Sequence, residues 1–165
     1  MPALSDYARK KKIEYFLQPI PKDAKILEIG SGSGWVGNYL KDNGWKNYHG
    51  MDIVPPADVV GDITDWKNLD IEANSFDVIV AFEVVEHVDI YPACAALLKK
   101  GGKLLVTTPL PHTDWIMQLL ELAKLNQTRT SEHCNLHYLK PVNGLLVESK
   151  KSIAGLSQWG IFAKA

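Results

Sequence analysis

Lys25-Ile26-Leu27-Glu28-Ile29-Gly30-Ser31-Gly32-Ser33-Gly34 decides the fold of this chain: an apolar strand runs straight into three glycines at alternate positions. A backbone stripped of side chains in this way can turn tightly and lie directly against a ligand. Glu28 narrows the choice of ligand. An acid near the end of a buried strand is costly unless it meets a cationic or hydrogen-bonding partner. A phosphate would be repelled there, whereas an ammonium or sulfonium would be attracted.

The same stretch supports a competing reading, because Gly32-Ser33-Gly34-Trp35-Val36-Gly37 satisfies the GxGxxG pattern of dinucleotide-binding folds. In that pattern the first glycine closes the strand. The strand ends at Gly30, and counting from there puts Trp35 at the third glycine position, so the match is two residues out of register. A tight turn without a ligand remains the plain alternative.

Composition frames both readings. The 165 residues suffice for one sizeable core and are too few for two ordinary domains. A hydrophobic fraction of 46% with 22% charged residues is ordinary for a globular protein, and no apolar run approaches the roughly 20 residues that span a bilayer. The net charge of -1 argues against a broad nucleic-acid surface. Cys94 and Cys134 are too few and too far apart for a metal knuckle or a disulfide framework. No secretory h-region opens the chain, so the expected setting is reducing and cytoplasmic.

Strand and helix patterns alternate along the chain. A leading helix is expected over Leu4 to Leu17, with Arg9-Lys10-Lys11-Lys12 read as a solvated face. Strands are expected at Lys25 to Ile29, Tyr48 to Ile53, Asp58 to Asp62, Phe76 to Phe82 and Lys103 to Thr107. Helices are expected at Trp35 to Asp42, Val88 to Leu98 and Thr113 to Leu125, and two closing strands at Leu145 to Glu148 and Ser157 to Ala163. Too little chain joins the closing pair for a crossover helix. The order therefore describes a mostly parallel α/β sheet ending in an antiparallel hairpin. Its parts are a leading helix and entry at 1–24, a ligand-binding core at 25–109, a helix and lid at 110–142, and closing strands at 143–165.

Ligands in such sheets bind at the carboxyl ends of the strands. Asp52, at the tip of the second strand, can accept hydrogen bonds from both hydroxyls of a ribose. Asp62, followed by Ile63, can accept from an exocyclic amine while the aliphatic neighbour packs on a flat ring. Either aspartate alone reads as a turn or cap residue. Two at successive strand ends read as a site.

Taken together, ILEIGSGSG, YHGMDI, VVGDITD, SFDVIVAFEVVEHV and LLKKGGKLLVTTP resemble, in order, the motifs of class I S-adenosylmethionine-dependent methyltransferases, in the group often called type 11. The resemblance covers Lys25 to Pro109. It implies a Rossmann-like, mostly parallel seven-stranded sheet and S-adenosyl-L-methionine as cofactor. By that resemblance Glu28, Gly30, Ser31, Gly32 and Gly34 border the methionine part. Asp52 holds the ribose, Asp62 with Ile63 the adenine, and Phe82-Glu83 the floor beneath the sulfonium. One departure stands out: Ile53-Val54-Pro55-Pro56-Ala57 replaces the family's usual helix, so Met51 and Ile53 to Pro56 are expected to line the adenine pocket differently.

An activated methyl donor leaves the protein mainly the task of holding a nucleophile in line. The implied acceptor is a small molecule or a glycan of the cell-envelope type. Metal-assisted O-methylation of a quinone-type or RNA acceptor, and non-catalytic cofactor binding, are the alternatives. Glu83, Glu86 and His87 invite three readings: helix-start acids with a packed histidine, a histidine base, or an ExxEH metal site. The expectation is His87 near the acceptor without metal. His112, His133, His137 and Tyr138 lie in or beside the segments expected to cover the strand ends, where the polar run Asn126 to Asn135 reads as a lid, and His112 and His137 join His87 as candidate catalytic residues. No membrane partner is expected, nucleic acid is disfavoured, and a homo-oligomer is compatible.

Overall fold

The computed structural model describes residues 3–111, 137–142 and 144–165. The expected helix at Thr113 to Leu125, the run Asn126 to Asn135, and His112 and His133 lie outside them. Helix α1 (Ala3–Lys12) continues into a π-turn over Ile13–Leu17. It is followed by β1 (Ile26–Ile29), α2 (Trp35–Asp42), β2 (Tyr48–Asp52), β3 (Val59–Val60), a 3₁₀ turn (Ile63–Asn68) and β4 (Phe76–Phe82). Helix α3 (Tyr91–Leu97), β5 (Leu98–Pro109), β6 (Leu145–Ile153) and β7 (Ser157–Lys164) complete the order.

The seven strands form one sheet in the order β3-β2-β1-β4-β5-β7-β6. Strands β1 to β5 pair in parallel, and β7 runs antiparallel to both β5 and β6, which is the expected closing hairpin. Alternation along each strand assigns the two faces. Ile26, Val78, Val80 and Leu105 pack with Phe16, Leu17, Val36 and Leu40 on one side. Leu27, Ile79, Ala81, Leu104 and Val106 pack with Cys94, Leu97 and Phe162 on the other.

Several elements differ from expectation: β5 starts at Leu98 and not Lys103, β3 shrinks to Val59–Val60, and the start of α3 and the length of β6 also change. The segment from Val84 forms a single turn, closed by the His87 amide on the Val84 carbonyl at 2.9 Å, and the helix starts only at Tyr91. Pro92 explains the delay: it has no amide to bond back four residues, so it is accommodated in a first turn and excluded from a helix interior. Strand β6 extends to Ile153, beyond the expected Glu148, because its backbone pairs with β7 as far as Ser157. The 53–57 segment holds no helix, in keeping with the departure read from its sequence.

Candidate functional site

Strand order reverses beside β1, between β2 and β4, and the carboxyl end of β1 opens into the glycine turn. This is the crevice where open α/β sheets bind ligands. Gly30, Gly32 and Gly34 all have positive φ, at 75°, 45° and 71°. Gly30 is required twice over, since a Cβ there would also lie 2.7 Å from Val84 Cγ2. The turn is stitched to β2 by the Gly30 and Ser31 amides, which donate to the Met51 carbonyl at 2.9 and 3.0 Å.

Asp52 projects from the tip of β2, and its Oδ2 accepts the Gly32 amide at 2.8 Å. The aspartate thus registers the glycine turn against the neighbouring strand tip. Beside it Ile53 and Val54 are 72% and 58% exposed, leaving an aliphatic surface next to the carboxylate. Asp62 caps the 3₁₀ turn, its Oδ1 accepting from both the amide and the hydroxyl of Thr64 at 2.8 Å. Ile63 is drawn into the core with Met51 and Ile79.

Glu28 is buried under the turn and takes a hydrogen bond from the Tyr48 hydroxyl. Burial pushes its carboxyl up to about 8; the Tyr48 bond opposes the rise and the charge of Asp52 adds to it. The partner demanded by a buried acid is thus supplied inside the fold. Gly37 makes that possible: a Cβ there would stand 2.7 Å from the Tyr48 ring. The third glycine of the out-of-register GxGxxG therefore serves packing between α2 and β2.

Phe82 and Glu83 close the far side. Phe82 lies 6.1 Å from Trp35 in a stacked arrangement and 5.2 Å from Phe16. Glu83 has φ 58°, an unusual value for a residue with a side chain, and its Oε1 accepts from Lys12 Nζ at 2.8 Å and Thr107 Oγ1 at 2.7 Å. The basic run on α1 is therefore not a solvated face throughout: Arg9 lies 5.5 Å over the Trp35 ring and Lys12 5.1 Å over Phe82. Sequence reasoning missed Lys12 because its partner is 71 residues away. The available signal was a lysine closing a helix in a chain whose strand tips are acidic.

Two of the candidate imidazoles, His87 and His137, lie among the described residues. His87 sits half-buried on the turn after β4. His137 lies 3.4 Å from the Tyr91 hydroxyl, its carbonyl accepting from Gln158 Nε2 at 2.6 Å. With Val85, Asp89, Tyr91, Pro92, Lys140 and Val142 it lines a cavity of about 660 Å³. Among the described residues no group of three His, Cys, Asp or Glu side chains is arranged to hold a metal ion. Of the ExxEH residues, Glu83 has its Oε1 engaged by Lys12 and Thr107.

Comparison with known proteins accords with this geometry. The chain is 30% identical over 106 residues to a protein named ubiquinone biosynthesis O-methyltransferase from Xanthomonas axonopodis pv. citri (strain 306), covering 53% of this chain and 44% of that protein. The chain thus spans about half the length of the curated relatives it matches. Among solved structures, the PH0226 protein of Pyrococcus horikoshii OT3 superposes with a TM-score of 0.66 at 16% identity, covering 99% of this chain and 92% of that one. The Haemonchus contortus phosphoethanolamine N-methyltransferase 2, in complex with S-adenosyl-L-methionine, gives 0.62 at 14%, covering 96% and 52%. At these identities the structures attest the fold. A sequence profile described as a methyltransferase domain matches residues 4–147. The chain belongs to that methyltransferase domain family, the class I S-adenosylmethionine-dependent methyltransferases.

Proposed function

We propose that this chain binds S-adenosyl-L-methionine across the tips of β1, β2 and β4 and methylates a hydroxyl of a small-molecule acceptor. The observation that carries the reading is the Gly32 amide held by Asp52 at 2.8 Å, beside a turn with three left-handed glycines. This cradle fits the cofactor. The glycines keep side chains out of the backbone's path, Asp52 offers a carboxylate where a ribose would lie, and exposed Ile53 flanks it for a flat ring. Bound there, the sulfonium supplies an activated methyl group. Glu83 places its negative charge at the tip of β4 under the expected sulfonium position, and Phe82 excludes water beside it.

A hydroxyl acceptor is favoured by the relatives named as O-methyltransferases. His137, with Tyr91 and Lys140 in the cavity beside α3, and His87 on the neighbouring turn supply the imidazoles proposed to face it. Calorimetric titration with S-adenosylhomocysteine and with NAD tests the cofactor reading. Binding of the first and not the second is expected; the reverse would restore the dinucleotide reading. Transfer of labelled methyl to a panel of phenols, amines and sugars then tests the acceptor class.

A further inference from the structure

One lysine of the leading helix is covered together with its charge. The Lys12 side chain is 12% exposed, and a lysine is seldom enclosed to that degree unless it is paired. Two groups receive its ammonium. Glu83 Oε1 accepts from Nζ at 2.8 Å, and the centre of the Phe82 ring lies 5.1 Å away. A carboxylate beside an aromatic face is a pairing that holds an organic cation, the acid through its charge and the ring through its quadrupole. Lys12 therefore fills a cation site with the chain's own cation.

The place of that site in the crevice gives it a meaning. The glycine turn and Asp52 mark the carboxyl ends of β1 and β2, and Phe82-Glu83 mark the end of β4, on the other side of β1. Glu83 is fixed to the sheet. Its amide donates to the Thr107 carbonyl at 2.8 Å, and Thr107 Oγ1 donates to Oε1 at 2.7 Å. Lys12 arrives from outside the sheet. It closes α1, which reaches the tip of β4 through Phe16, 5.2 Å from Phe82, and Arg9, 5.5 Å over the Trp35 ring. One partner of the ion pair thus belongs to a strand end and the other to a helix laid across it. Only the helix can shift without undoing the strand ends.

We infer that Lys12 is a latch sensitive to the charge of the cofactor: it holds Glu83 in the unliganded chain and beside S-adenosylhomocysteine, and yields it to the sulfonium of S-adenosylmethionine, loosening α1 from the tip of β4. The inference rests on the functional reading above and adds the residue that tells the charged cofactor from its neutral product. Both ligands share the adenosine and the amino-acid part, so those contacts cancel between them. They differ at sulfur by one positive charge and a methyl group. Two cations beside one carboxylate repel each other, most strongly where water is scarce. A neutral sulfur leaves the Lys12 pair in place.

The test measures S-adenosylmethionine, S-adenosylhomocysteine and sinefungin, in which a carbon bearing an ammonium replaces the methylated sulfur, by calorimetry on wild type, Lys12→Met and Lys12→Arg. Lys12→Met should raise the affinity for S-adenosylmethionine relative to S-adenosylhomocysteine by about fivefold, the scale of one partly exposed charge pair, with sinefungin following S-adenosylmethionine. Lys12→Arg restores the cation and should return the ratio to near the wild-type value. Hydrogen exchange on wild type follows the helix without depending on how a variant folds: amides of residues 3–17 should exchange faster with S-adenosylmethionine bound than with S-adenosylhomocysteine bound. A Lys12→Met protein that loses affinity for both ligands equally, or keeps their ratio unchanged, would make the lysine a structural fastener of α1 and overturn the proposal. Equal or slower exchange of the helix with S-adenosylmethionine would overturn it too. Either result leaves the cofactor reading standing, because both ligands still bind to wild type. A wild type that binds neither ligand would remove the functional reading and this inference with it.

Discussion

The Gly32 amide donates to Asp52 Oδ2 at 2.8 Å, so the acid at the tip of β2 and the glycine turn after β1 form one unit before any ligand arrives. The second carboxylate oxygen accepts the Val54 amide at a longer 3.3 Å, which ties the exposed Ile53-Val54 segment to the same residue. Asp52 therefore orders the turn and, in the proposed cofactor site, would also present its oxygens to a diol.

Asp52→Ala should weaken S-adenosylhomocysteine binding by roughly 1 to 3 kcal/mol, the range for lost charge-assisted hydrogen bonds. Asp52→Asn keeps an acceptor for Gly32 and should lose less. Calorimetry on the two variants checks both, with circular dichroism confirming that the fold survives.

Gly37→Ala tests the support beneath the turn. Its new Cβ would meet the Tyr48 ring at 2.7 Å, and moving that ring breaks the bond to Glu28. Overpacking at such a contact costs about 1 to 3 kcal/mol, and urea unfolding should report a loss of that size. An unchanged midpoint would mean the ring has room that the structure does not show.

Stability should fall as pH rises from about 5 to about 8. Glu28 is held near 8 in the fold, above the ordinary glutamate value, so between those limits the folded chain keeps a proton that the unfolded chain releases. The contribution is complete below the unfolded value and is lost as pH passes the folded one. Glu86 acts in the same sense. Glu28→Gln should flatten part of the slope in denaturant unfolding across this range, and a parallel pH profile would contradict the assigned rise.

Glu83→Gln should separate the charged cofactor from its neutral product. If Glu83 lies beneath the sulfonium, the variant should bind S-adenosylmethionine up to about fivefold more weakly while S-adenosylhomocysteine is barely affected, the scale of ~1 kcal/mol for a partly exposed charge. Equal losses for both ligands would place the charge elsewhere.

Mn²⁺ titrated by calorimetry should show no site tighter than the millimolar range, because Glu83 is engaged by Lys12 and Thr107. A micromolar site abolished by Glu86→Gln would establish the ExxEH reading instead.

What the chain determines locally was legible before any coordinates. Three apolar residues and the buried Glu28 running into Gly30, Gly32 and Gly34 specify a strand and a left-handed turn, because hard-sphere limits on φ admit little else. The closing hairpin followed from the shortness of the link between its strands, and the helix-free 53–57 segment from its departure from the resembled family's pattern. The same pattern placed Asp52 at the end of the second strand, where the structure has it.

Partnership across the sheet was decided only by the tertiary structure. Glu28 reads as an acid awaiting a cationic ligand until β1 pairs with β2 and α2 packs close enough at Gly37 for the Tyr48 hydroxyl to reach it. Lys12 reads as solvated until α1 lies over the tip of β4, and Glu86 as the start of a helix until Pro92 defers that helix to Tyr91. Periodicity records which residues face inward, because burial repeats with the backbone's own period. It carries no information about which two distant side chains meet there, since that depends on strand order and helix docking.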